Sequence, residues 1–189
     1  EFFSDAGRPP FLHLWPSTIP GRFPHTEAAG DAAGDKRYDH RIYATTTSDF
    51  ASFTPTRLFY DPGFSVIDAT FVRALGRDWL VVKDETRHPP RKSLQVAPAA
   101  SLEGPFGPLS APVTPAGLWA EGPSALQVGD EVLLYFDAYS AGHYGALRSR
   151  DMLHWEDVST RMRFPRKMRH GTAFAAPASL VERLRTLAP

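Results

Sequence analysis

An all-β architecture of propeller type is what this sequence predicts, and three observations predict it. A strand-turn-strand plan recurs at a 51-residue interval, with Ser48, Ala99 and Arg150 in equivalent places. Proline (18) and glycine (14) are frequent enough to supply many tight turns. Aromatic residues at 12% suit short strands better than a helical bundle.

The elements follow in order along the chain. It opens on "EFFSDAGRPP", which reads as the inside of a strand and carries no initiating Met. One series of apolar strands follows turn residues: "FLHLWPST" from Phe11, "DWLVVKDE" from Asp78 and "EVLLYFDAY" from Glu131. A second series, "TTTSDFASFTP" (45–55), "VAPAASLEGPFGP" (96–108) and "LRSRDMLHWEDVS" (147–159), runs from a strand through a small polar turn to an aromatic residue or "GPF" that opens the next strand. A third comprises "VIDATFV" (66–72), "EGPSALQV" (121–128) and "HGTAFAAP" (170–177).

Each unit therefore reads as four strands over ~50 residues, the size of a propeller blade. The predicted units are about 1–60, 61–115 and 116–165, followed by a closing strand at 169–177 and a short helix at 178–187. On that helix Leu180, Val181, Leu184 and Leu187 share one face. The stretch 25–39, with Gly, Ala and Asp but no periodicity, reads as a mobile loop. A two-sheet sandwich is the alternative. The recurrence of polar residues at the start of the innermost strands favours the propeller, because radial symmetry brings such residues to one axis.

Composition narrows the chemistry. Lys and Arg together (21) balance Asp and Glu (21), so no net charge argues for nucleic acid or an anionic membrane. Cysteine is absent, which excludes disulfides, thiolate metal sites and a cysteine nucleophile. No G-x-S-x-G, P-loop, G-x-G-x-x-G or H-E-x-x-H occurs, and His40, His88 and His143 have no metal-cluster spacing. The cellular compartment is left open.

Two carboxylates remain to be explained. Asp68 in "VIDATFV" and Glu121 in "EGPSAL" stand at corresponding places near the start of innermost strands, among apolar neighbours. Each alone reads as a structural carboxylate bonded to backbone N–H groups. As a pair they suit glycosidic bond cleavage, which needs one carboxyl group kept protonated, and burial of Glu121 raises its proton affinity. His170 holds the third such position and is a candidate to bind water or a hard cation, or to orient a carboxylate. Trp15, Phe64, Trp119 and Tyr139 lie beside the inner strands as candidate sugar-stacking surfaces, each reading equally as ordinary packing. Arg148 and Arg169 are candidates to bond a sugar hydroxyl or hold a carboxylate.

Taken together, "EFFSD", "STIPGRFP", "HRIYATTTSDFASFTPTRLFYDPGFSVIDATFV", "KDE", "EGPSAL", "YFDAY", "YGALRSRDMLHWEDVS" and "MRHGT" resemble glycoside hydrolase family 43, in particular its bacterial arabinosidase-like members. The resemblance runs over nearly the whole chain. It implies a five-bladed β-propeller and an inverting hydrolase that removes arabinofuranosyl, xylosyl or galactosyl units from plant polysaccharides, with carbohydrate as the partner. It implies Glu121 as general acid, Asp68 as the carboxylate that tunes the acid's pKa, and Asp84 in "KDE" as a substrate-contact or supporting residue. No cofactor is required; calcium near His170 is admitted by the resemblance alone.

The family's general base is an Asp in an "RDP"-type motif, and no such motif occurs here. The resemblance therefore implies about three complete blades plus the closing strand of a further one, with the N-terminal part missing. A propeller lacking a blade leaves sheet edges and apolar faces open, so the chain by itself is expected to be weakly stable and catalytically impaired. A carbohydrate-binding propeller without turnover is the alternative function.

Overall fold

The computed structural model describes residues 1–26, 28–29, 37–165 and 167–187. Three antiparallel sheets follow one another along the chain. The first has the order β1 (Phe2–Phe3), β2 (Phe11–Ser17), β5 (Arg41–Thr47), β6 (Arg57–Tyr60), with the small hairpin β3 (Ala28–Ala29) and β4 (Arg37–Tyr38) inserted between β2 and β5. The second is β7 (Val66–Ala74), β8 (Arg77–Asp84), β9 (Ser93–Ala99); a single bridge from Ala99 to Phe106 extends its outer edge. The third is β10 (Glu121–Val128), β11 (Glu131–Ala138), β12 (His143–Ser149), β13 (Glu156–Asp157).

The middle sheet is covered on both sides, and β8 shows how. Its run Trp79 to Val82 is buried throughout, as expected of a strand packed on both faces. Successive side chains of a strand point to opposite faces. Trp79 and Val81 join Leu94, Val132, Leu134, Phe136 and Leu147 in one core between the second and third sheets. Leu80 and Val82 join Leu12, Leu14, Ile42, Ala44 and Val66 in another between the first and second. Each fully buried Leu, Ile or Val contributes roughly 1.5–3 kcal/mol. The inner strand β7 packs against β10 on one side and against β2 and β5 on the other, which gathers the starts of the inner strands.

The repeat has a local physical basis. Thr47 Oγ1 accepts from Phe50 N at 2.8 Å, while Asp49 Oδ1 accepts from Ala51 N and Ser52 N. At the matching turn of the third sheet, Ser149 Oγ accepts from Met152 N at 2.9 Å, and Asp151 Oδ1 accepts from Leu153 N and His154 N. Phe50 and Met152 both take the left-handed conformation, at φ 56° and 64°. Short polar side chains replace the missing backbone partners of the turn.

Two expectations are corrected. Residues 170–177 form no strand, because no neighbouring strand among the described residues offers a ladder; instead Gly171 N donates to Tyr144 OH and Ala173 N to Ser124 Oγ. Phe174 in this segment is 70% exposed. The helix α1 (Ala178–Leu187) forms, but it buries no residue, and Leu180, Val181, Leu184 and Leu187 face outward. The stretch read as a mobile loop contains the β3–β4 pairing, and its residues 27 and 30–36 lie outside the described residues.

Candidate active site

The site is built where the ladders of β7 and β10 are interrupted. In β7 the register shifts between Ile67 and Thr70, and in β10 between Glu121 and Ser124. Ile67 pairs with Lys83 and Glu121 with Asp137, so Ile67 and Glu121 are structurally equivalent, as are Asp68 and Gly122. The sequence reading had placed Asp68 opposite Glu121 in the repeat; the correspondence is one residue out. A bulge turns one residue out of the pleat. Asp68 takes φ 52° and Gly122 φ 56° at these two places.

The two bulges meet through a side chain and a backbone N–H. Asp68 Oδ2 accepts a 2.9 Å hydrogen bond from the backbone N–H of Gly122, the residue after Glu121. Above Gly122 lies the imidazole of His170, so close that a Cβ at 122 would stand 2.8 Å from ring carbons. Glycine is therefore required there by both its φ and its neighbour. A cavity of about 230 Å³ opens beside this contact, lined among others by Glu1, Trp15, Asp68, Gly122 and His170.

Glu121, its side chain 18% exposed, meets three basic groups. Oε2 lies 3.1 Å from Lys83 Nζ, and Oε1 lies 2.9 Å from Arg169 Nη2 and 3.1 Å from His170 Nε2. Arg169 Nε also donates to Asp137, whose side chain is 1% exposed. Lys83, 2% exposed, is shared with Glu85 Oε2 at 2.7 Å, and Lys92 in turn binds Glu85 Oε1 at 2.5 Å and Tyr38 OH at 2.7 Å. An alternating chain of charge thus runs from Lys92 through Glu85, Lys83, Glu121 and Arg169 to Asp137.

These contacts correct one electrostatic expectation. Burial does push the Glu121 carboxyl group up, but the Lys83 ammonium and the bonds from His170 and Lys83 outweigh it and hold Glu121 below the ordinary glutamate range. Burial pushes Lys83 down despite its carboxylate neighbours. The Tyr139 hydroxyl is driven upward by burial first, then by the charges of Glu85, Glu121 and Asp68.

The other sequence candidates divide. Trp15 lines the cavity. Trp119 stands beside Tyr139, ring centroids 6.0 Å apart, and Lys83 Nζ lies 4.8 Å from the Tyr139 ring centre. Phe64 is half-buried and does not line the cavity. Arg148 is held by Glu131 at the start of β11 and by Glu156 of β13 and does not line the cavity. Asp84 accepts from Thr86 N at 2.9 Å and shapes the turn after β8. Alternation separates the two neighbours: Lys83 continues the face of Trp79 and Val81, toward the third sheet, whereas Asp84 continues the face of Leu80 and Val82. Lys83, Glu85 and Asp137 were missed; extending the period of two through "WLVVKDE" finds the first two.

Glu121, Asp137 and His170 offer atoms within 4.8 Å of one another. The set does not fit calcium, which takes six to eight oxygen ligands: one donor is an imidazole, and the Arg169 guanidinium already bridges both carboxylates.

A chain of antiparallel sheets with Asp68 in a cavity wall, bonded to the backbone beside Glu121, has the features of a glycoside hydrolase domain, and comparison with known proteins narrows the class. The family described as "probable glycosyl hydrolase domain", related to glycoside hydrolase family 43, matches residues 3–179. The chain belongs to this family. The crystal structure of an α-L-arabinofuranosidase from Lactobacillus brevis superposes with a TM-score of 0.62 at 16% identity, covering 84% of this chain and 53% of the other. A thermostable family-43 glycoside hydrolase superposes at 0.52 and 15% identity, covering 79% and 50%. The chain spans about half the length of these two proteins. At such identities the likeness establishes the fold. A search of the curated proteins finds no match.

Proposed function

We propose that this chain carries the acid side of an inverting glycosidase site within a five-bladed propeller, acting on arabinofuranosyl, xylosyl or galactosyl linkages of plant polysaccharides. The observation that carries the reading is the junction of Asp68 with the backbone beside Glu121, at the edge of a cavity lined by Trp15. Glu121 protonates the leaving oxygen. Asp68, fixed by Gly122 N, holds the strand that presents Glu121 and places a second negative charge near it. A general base, for which this chain carries no RDP-type motif, activates water on the opposite sugar face, about 6.5–9.5 Å from the acid. The three sheets correspond to three blades. The family assignment and the arabinofuranosidase named above support the substrate class.

A second reading, carbohydrate binding without turnover, is favoured by one observation: Glu121 is ionised among Lys83, Arg169 and His170. Hydrolysis of an arabinofuranosyl oligosaccharide and of the 4-nitrophenyl α-L-arabinofuranoside, β-D-xyloside and β-D-galactoside, run beside calorimetric binding of the free sugars, separates the two. The hydrolase reading expects turnover on one of these, slow because the chain carries no RDP-type base motif. Binding with no turnover on any of them supports the second.

A further inference from the structure

We propose that Lys83, shared between Glu85 and Glu121, is the positioning residue that decides whether Glu121 carries its proton. The inference rests on the reading of Glu121 as an acid, and the geometry supplies its mechanism. Lys83 Nζ lies 2.7 Å from Glu85 Oε2 and 3.1 Å from Glu121 Oε2, so one ammonium group serves two carboxylates. It is 2% exposed, and water cannot replace either partner cheaply.

Every element packed around Glu121 contributes charge. Lys83 comes from β8 and Glu85 from just beyond it; Asp68 comes from β7, Asp137 from β11, Tyr139 from just past β11, and Arg169 and His170 from the C-terminal segment. Arg169 is shared with the buried Asp137, and Lys92 stands behind Glu85. Of the two carboxylates that share Lys83, Glu121 is the more exposed, its side chain at 18% against 9% for Glu85, and it immediately precedes Gly122 and Pro123, which line the cavity.

Two positions of the ammonium group follow. Centred between the carboxylates, it keeps Glu121 ionised. Drawn toward Glu85, it leaves Glu121 Oε2 to take a proton from solvent, which Glu121 then passes to the leaving oxygen; Lys83 keeps its own three protons throughout. The Tyr139 ring centre lies 4.8 Å from Nζ and offers the ammonium group a cation–π surface.

The test is a titration of the full chain labelled with ¹³C at the glutamate carboxyl carbons, with the Glu121 signal assigned by its loss in Glu121→Gln. Lys83→Met leaves Glu85 paired with Lys92 and is expected to raise the Glu121 midpoint by about one pH unit or more. Glu85→Gln gives Lys83 to Glu121 alone and is expected to lower the midpoint. Opposite shifts support the inference, since mere loosening of the structure moves both variants the same way. Unmoved midpoints, or shifts of the same sign, overturn it. If Lys83→Met does not fold, the sign of the Glu85→Gln shift decides. The titration reads no turnover, so an unmoved midpoint leaves the hydrolase reading standing, and an inactive protein leaves the titration decisive.

Discussion

Asp68 Oδ2 accepts its 2.9 Å hydrogen bond from the backbone N–H of Gly122, which joins two sheets at the residue that follows Glu121. An ionised acceptor makes this bond roughly twice as strong as a neutral one. Asp68→Asn keeps an acceptor of the same shape and removes the charge. It is expected to fold and to lose turnover about 100-fold through misplacement of Glu121, as measured by kcat/KM on an arabinofuranosyl oligosaccharide. Undiminished turnover would remove Asp68 from the site.

Gly122→Ala places a side chain at φ 56° and directs its Cβ into the His170 ring. The left-handed conformation costs about 1–2 kcal/mol, and His170 must move away from Glu121 in addition. A fall in Tm of roughly 2–8 °C is expected for a chain of this size. An unchanged Tm would show that the close approach is relaxed in solution.

Stability is expected to fall in acid because of Glu121. Its folded-state pKa is depressed below 4.5, with burial opposing and Lys83 and His170 prevailing. The folded state therefore binds this proton less readily than the unfolded state. The contribution is complete above the unfolded value and is lost as pH falls through the folded one. Denaturant unfolding below pH 4.5 should steepen with falling pH in the wild type and flatten in Glu121→Gln; parallel curves would contradict the ion-pair geometry.

Arg148→Ala is expected to leave sugar binding and turnover unchanged, because Arg148 is engaged with Glu131 and Glu156 away from the cavity. Exposed ion pairs of this kind contribute at most about 1 kcal/mol. Arg169→Ala removes the group that Glu121 shares with the buried Asp137, so its effect on Tm and turnover should be much larger. Equal effects would mean that the division between the two arginines is wrong.

The three sheets were legible because their signals are local. Alternation in β2 and β11, the buried run of β8, and the Thr47–Asp49 and Ser149–Asp151 turns are written in consecutive residues. Glu121 and Asp68 were legible as unusual carboxylates in apolar strands, but their one-residue offset was hidden, because a bulge changes register without marking the sequence strongly. Gly122 was its only trace. The motif "KDE" does not by itself mark Lys83, which joins the face of Trp79 and Val81 only when the period of two is followed along the strand. The ionisation of Glu121 was not legible, since Lys83, Arg169 and His170 reach it across separations of 38, 48 and 49 residues. That residues 170–177 form no strand, with Gly171 N and Ala173 N bonded to side chains instead, follows from partners rather than propensity, which no local pattern records.

The most direct measurement of the central claim, that Glu121 is the general acid, is the leaving-group dependence of Glu121→Gln. A sugar leaving group needs a proton, whereas 4-nitrophenolate leaves with little help. The account predicts a loss of about 10²–10⁴-fold on the oligosaccharide and a far smaller loss on the nitrophenyl glycoside, with sugar binding retained. Equal losses on both substrates, or no loss on the oligosaccharide, would contradict it.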